Sequence, residues 1–151
     1  MKKGIIALTV SFLAVSAAAQ QPVSADRFAD AVNHWNKEHG AQTYERYKPD
    51  RFREIADNIV AYQNADGGWP KNLDMLARLD PDSVKAALKP RHRLSTLDNA
   101  NVYTQVEYLS NVYLLTGDTL YRNSARRGME YMLSAQYPNA VSYTHLTLPT
   151  T

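Results

Sequence analysis

The chain has 151 residues, with 17 Lys and Arg against 15 Asp and Glu, and contains no cysteine. Without thiols it can have no thiol nucleophile, thiolate metal site or disulfide staple. Its charge is too evenly balanced for a general basic field directed at nucleic acid or a membrane surface.

The first 19 residues predict a secretory signal. Lys2 and Lys3 give the positive start, Ile5 to Val15 the apolar stretch, and Ala17, Ala18 and Ala19 the small-residue cleavage site. The apolar run is short for a membrane span, so no membrane partner is expected after cleavage, and the destination is the periplasm or outside the cell. Loss of Lys2 and Lys3 takes the basic residues from 17 to 15, equal to the acidic ones. An acidic partner must then be met by local cations or by a metal. About 130 residues remain, enough for one domain or a piece of one, and a monomer is expected. His34, His39, His92 and His145 are scattered, with no pair at ligand spacing on one helix, which argues against zinc.

The mature chain reads as all-α. Phe28, Ala31, Val32 and Trp35 fall at i, i+3, i+4 and i+7, with Ser24 available as a cap. Phe52, Ile55, Ile59 and Tyr62 repeat the pattern after Pro49-Asp50. The stretch from Leu73 to Leu94 holds shorter helical patches broken by Pro81 and Pro90. Val102, Val106, Leu109 and Tyr113 form a third stripe ended by Gly117. Tyr121, Ala125, Gly128, Met132 and Ala135 form a fourth, started by Asp118 or Thr119. No alternating strand pattern is present.

Between the second helix and the proline-broken stretch lies Asn64-Ala65-Asp66-Gly67-Gly68-Trp69-Pro70-Lys71-Asn72. Two glycines free the backbone and Pro70 fixes the exit direction. Two readings compete. Either Trp69 plugs the edge of the core behind an Asp-Gly turn, or the loop holds the indole and the Lys71 ammonium at the mouth of a cleft. A weak echo links this region to the chain's end: Tyr62-Gln63 runs into Asn64 to Gly67, and Ala135-Gln136 runs into Tyr137-Pro138-Asn139. Repeated helical hairpins of this kind suggest an α/α toroid or solenoid over residues 20–140. Residues 141–151 have neither periodicity nor cap and resemble a translated transposase sequencing adapter. They are expected to be an artificial tail on a truncated chain, with Ala140 standing where the native residue was glycine.

Three segments in order, Asn64 to Asn72, then Ser95-Thr96-Leu97-Asp98-Asn99, then Ala125-Arg126-Arg127-Gly128 with Ser134 to Asn139, resemble the pectate lyases of the tenth polysaccharide lyase family. The resemblance spans roughly residues 45–139. It implies an α/α-toroid-like fold, an exported bacterial enzyme, and calcium-assisted β-elimination of polygalacturonate. That reaction removes the weakly acidic proton at C5 of a uronate. A calcium ion on the carboxylate would stabilise the developing carbanion, and an arginine base would take the proton, which favours alkaline conditions.

On this resemblance Asp98 is the candidate metal ligand, since calcium takes six to eight oxygens from carboxylates and amide carbonyls. The same residue also fits a Ser95-x-x-Asp98 capping box. Trp69, Lys71, Asn72 and Asn99 are candidates for binding the sugar, although Lys71 also fits a solvated loop cation. Arg126 and Arg127 fit a solvated helix face. The catalytic base is expected beyond Asn139, which leaves this chain inactive by itself. Two rivals stand beside this reading. Gln63 to Trp69 also resembles the glutamine-tryptophan repeat of terpenoid cyclases, and a non-catalytic carbohydrate-binding helical module would use the same loop.

Overall fold

The computed structural model describes residues 23–40 and 44–136. The signal over 1–19, the start of the second echo at Tyr137-Pro138-Asn139, and the tail at 141–151 all lie outside the described residues. The described chain is all-α. It has five α-helices, α1 (Ala29–His39), α2 (Phe52–Tyr62), α3 (Pro81–Ala87), α4 (Tyr103–Thr116) and α5 (Thr119–Ser134), with short 3-10 turns between some of them. Two isolated bridges pair extended residues, Arg46 with Ala77 and Pro70 with Ser95. None of its helices is long and apolar enough to cross a membrane.

The helical stripes become the core. Phe28 and Trp35 are buried on α1 and the turn before it, while Ile55, Ile59 and Tyr62 are buried on α2. Ser24 Oγ accepts the Asp26 N–H at 3.2 Å, but Ala25 is the residue before the 3-10 turn and Phe28 the one before α1, and neither start is capped by a side chain. α4 and α5 are joined by only Gly117 and Asp118. Gly117 closes α4 in the left-handed conformation at φ 69°, its N–H donating to the Tyr113 carbonyl at 2.7 Å. Asp118 opens α5 by accepting the Leu120 N–H at 2.9 Å, which settles the choice between Asp118 and Thr119. The resulting hairpin is the most extensive helix pairing among the described residues, and α2 packs on both of its helices.

The two prolines of the middle stretch start elements rather than break them. Pro81 is the first residue of α3, behind Asp80, whose carboxylate accepts the Ser83 N–H at 2.9 Å. Pro90 opens the 3-10 turn Pro90–His92. A first-turn N–H has no helical partner, so proline costs nothing there.

Polar side chains tie the irregular segments to this frame. Asn58 of α2 donates to the Met75 and Ala77 carbonyls at 3.0 and 2.8 Å. Asp74, 2% exposed, accepts from Arg46 Nε at 2.5 Å, from the Tyr44 hydroxyl at 2.9 Å and from the Leu76 N–H at 3.1 Å. The segment before α2 is thereby fixed against the one that follows Asn72.

Candidate functional site

The two loops singled out by their sequence lie side by side. Pro70 bridges Ser95, and the Thr96 N–H donates to the Trp69 carbonyl at 3.3 Å. Asp66 accepts from the Gly68 N–H at 3.0 Å and from the Ser95 hydroxyl at 2.7 Å, while Asn64 donates to Ser95 Oγ at 2.9 Å. Asn101 completes the clamp. Its amide donates to the Trp69 and Thr96 carbonyls at 2.6 and 2.9 Å, and its oxygen accepts from Gln105 of α4 at 2.7 Å.

Each glycine of the pair has its own reason. Gly67 sits at φ 91°, and a Cβ there would meet the Arg127 carbonyl oxygen of α5 at 2.5 Å. Gly68 needs room rather than an unusual φ, since a Cβ would come within 2.5 Å of the Ser95 Cβ. Gln63, the residue that ends α2, draws the loop onto α5. It donates to the Gly67 carbonyl at 2.8 Å and to the Ser124 carbonyl at 2.9 Å, accepts from the Ser124 hydroxyl at 2.8 Å, and is bonded by Arg127.

This packing decides the competing readings of Trp69. The ring is fully buried, its Nε1 donates to the Ile59 carbonyl at 2.6 Å, and it lies against Gly128 of α5. The expectation of an indole face turned toward sugar is therefore corrected: Trp69 plugs the core, and burial of its large apolar surface is the reason.

Lys71 and Asp98 meet at the open end of the paired loops. Lys71 Nζ lies 2.6 Å from Asp98 Oδ2, with both side chains about one-third exposed, at 32% and 38%. The Ser95-x-x-Asp98 capping box does not form. The Ser95 hydroxyl is directed to Asp66, and the Asp98 N–H donates to Thr96 Oγ1 at 3.1 Å. Asp98 opens only a 3-10 turn, Asp98–Ala100, and α4 starts later, at Tyr103.

The backbone around the pair is strained. Asn72, Asn99, Ala100 and Val102 all have positive φ, at 62°, 55°, 56° and 70°. Asn tolerates this region better than most residues, but a β-branched valine does not. Such conformations cost on the order of 1–3 kcal/mol each and persist where surrounding contacts over-determine them. Here the Asn101 clamp and the complete burial of Val102 do so. Asn72 is partly exposed and Asn99 exposed, each next in sequence to a member of the ion pair. The structure thus brings Lys71 and Asp98 together on a partly exposed edge, with Asn72 and Asn99 next to them in sequence, and withdraws Trp69 from it.

A family model described as pectic acid lyase matches residues 63–145, more than half of the chain. The chain belongs to the pectic acid lyase family. Both loops and the α4–α5 hairpin fall inside the matched span. No curated protein matches. Among solved structures, the chain is similar to a point mutant of a family 10 polysaccharide lyase from Cellvibrio cellulosa in complex with trigalacturonic acid. Identity is 22%, the TM-score is 0.50, and the match covers 87% of this chain and 36% of that one. A second structure of a family 10 polysaccharide lyase from Cellvibrio cellulosa matches at 23% identity with a TM-score of 0.49, covering 87% of this chain and 35% of that one. These likenesses concern the fold, and the chain spans little more than a third of each structure's length.

The calcium expected of this family needs six to eight oxygens. Among the described residues no three His, Asp or Glu side chains gather as a metal site requires. Asp98 contributes one carboxylate, and it is paired with an ammonium. The described residues therefore do not by themselves form a calcium site. Nor do the adjacent arginines of α5 face the Lys71–Asp98 pair: Arg126 bonds Glu130 one turn on at 2.5 Å, and Arg127 bonds Gln63.

Proposed function

We propose that this chain contributes part of the active site of a lyase that cleaves polygalacturonate by β-elimination. The observation that carries the reading is the Lys71–Asp98 pair, held at 2.6 Å on a strained, exposed edge inside the span matched by the pectic acid lyase model.

The chemistry of the substrate fits that edge. A galacturonate unit presents a carboxylate and a set of hydroxyls. Lys71 offers a partly exposed ammonium for the carboxylate, and Asp98 fixes its direction, so little side-chain freedom is lost on binding. Asn72 and Asn99 each carry an amide able to donate to and accept from hydroxyls. Removing the C5 proton places charge next to the carboxylate, and a cation already fixed there stabilises that charge without reorganising.

Calcium belongs to the proposal as the whole enzyme's cofactor, with Asp98 as a candidate ligand and the other oxygens supplied from outside the described residues. The proton-abstracting base is likewise left to that remainder. Secretion or periplasmic export and the α/α toroid are part of the same reading. The test is release of unsaturated uronide from polygalacturonate, followed by ultraviolet absorbance, by the gene product that carries this chain. Retention of polygalacturonate without that absorbance would favour a binding module over a lyase.

A further inference from the structure

Asn101 lies between the two loops that carry the ion pair. It is buried, at 7% exposed, and its amide nitrogen donates to one carbonyl on each loop, Trp69 at 2.6 Å and Thr96 at 2.9 Å. Each of those carbonyls belongs to the residue two places before a member of the pair, Lys71 or Asp98. The Asn101 N–H adds a third hold by donating to the Asp98 carbonyl at 3.0 Å. Only the NH2 end of an amide can serve two carbonyls, so Oδ1 is turned the other way, where Gln105 Nε2 donates to it at 2.7 Å. The link from loop to loop is thereby anchored on α4.

Unfavourable features gather around this one side chain. Its neighbours Ala100 and Val102 have positive φ, as does Asn99. Gln105 is 3% exposed, and while its Nε2 holds Asn101, its buried Oε1 has no hydrogen-bond partner among the described residues. Left-handed backbone outside glycine and an unsatisfied buried acceptor both lower stability, and such features cluster at functional sites. Helix capping does not account for them, because the start of α4 has no side-chain cap hydrogen bond.

We infer that Asn101 is a positioning residue that sets the separation of Lys71 and Asp98 from behind. The inference rests on the proposed reading of that pair as the substrate-facing edge and names the residue that holds it in place. Asn101 acts through the two charged side chains and not on the substrate. Ser95 and Asp66 bond to each other across the same loops at 2.7 Å, so the loops stay paired when the Asn101 amide is removed, and the Lys71–Asp98 end loosens.

The test follows the Lys71–Asp98 contact in the 151-residue chain by NMR, as the nuclear Overhauser effect between the Lys71 ε-methylene and Asp98 β-methylene protons. The effect between the Trp69 indole and Gly128 reports the core in parallel. Asn101→Ala should lose the first and keep the second. Gln105→Met, which removes the donor that orients Asn101, should weaken the first, and it decides the matter if Asn101→Ala does not fold. In the gene product carrying this chain, Asn101→Ala should raise KM for polygalacturonate about tenfold, and adding Lys71→Met should then change it by less than about twofold, since both remove one contact. A purely structural asparagine would lower the melting temperature and leave the effect of Lys71→Met at full size. A contact that survives both substitutions, or is missing from the parent, would overturn the inference, as would effects on KM that multiply. A parent that forms no unsaturated product would fail the lyase reading alone, because the NMR contact reports the hold of Asn101 on the pair whether or not product forms.

Discussion

Lys71 Nζ and Asp98 Oδ2 stand 2.6 Å apart although 27 residues of chain separate them. Their loops are held together by Asn101, Ser95 and Asp66, and neither side chain is needed to fill the core. Lys71→Met should therefore leave the melting temperature nearly unchanged, since partly exposed ion pairs contribute about 0–1 kcal/mol. The same variant should raise KM for polygalacturonate in the gene product carrying this chain, with little effect on any neutral sugar. A large loss of melting temperature would make the pair structural instead.

Gly128 lies in α5 where alanine would ordinarily gain about 1 kcal/mol of helix propensity. A Cβ at that position would meet Trp69 Cζ3 at 2.7 Å and Val106 Cγ2 at 2.6 Å. Because the indole is fixed by its bond to Ile59, the ring cannot yield easily. Gly128→Ala is expected to destabilise by about 1–3 kcal/mol, measured by urea unfolding. A stabilised variant would show that α5 and the loop are less closely packed.

Most of the helical frame was legible in the sequence because its signals are local. The stripes of α2, α4 and α5, Gly117 as a stop and Asp118 as a start all act within a turn or two of the residues that carry them. The polar ties were not legible. Asn101, Gln105, Asn58 and the Arg46–Asp74 pair work across long sequence separations, and no spacing announces them. Trp69 illustrates the difference. Its loop reads equally as a sugar platform or a core plug until Gly128, which looks like one more small stripe residue, is seen to make room for the ring. Lys71 and Asp98 were legible as candidates, whereas their direct contact with each other was not.

Asp74 is buried and shared among Arg46, Tyr44 and the Leu76 N–H. Removing one member of such a pair leaves an uncompensated charge inside the protein. Asp74→Ala should cost about 3–5 kcal/mol, read from chemical denaturation. It should also detach the segment before α2, visible as faster amide exchange at Tyr47 and Arg78. A loss below about 1 kcal/mol would place the pair among weak surface contacts.

Several tyrosines set an alkaline limit to the fold. Burial, followed by the Asp74 contact, pushes Tyr44 up to about 12. Burial, then the hydrogen bond to Asp57, does the same for Tyr121, and burial, then the charge of Asp66, for Tyr131. Tyr62 and Tyr108 are raised mainly by burial as well. Raised folded-state values mean that folding favours the neutral phenol. That stability is complete below the ordinary tyrosine value of about 10 and is lost as pH climbs toward 12. Melting temperature is expected to hold through mild alkalinity and fall steeply above about pH 10. A flat profile to pH 12 would contradict the burial of these hydroxyls.

The most direct measurement compares wild type with Asp98→Ala in the gene product carrying this chain. It follows unsaturated-uronide absorbance from polygalacturonate at mildly alkaline pH across a calcium titration, with thermal melting in parallel. The proposed site predicts loss of product formation and of its calcium response with little change in melting, because Asp98 acts on the ion and on Lys71 rather than on the core. A variant that melts slightly earlier yet keeps both its rate and its calcium response would contradict it and leave Asp98 a structural residue.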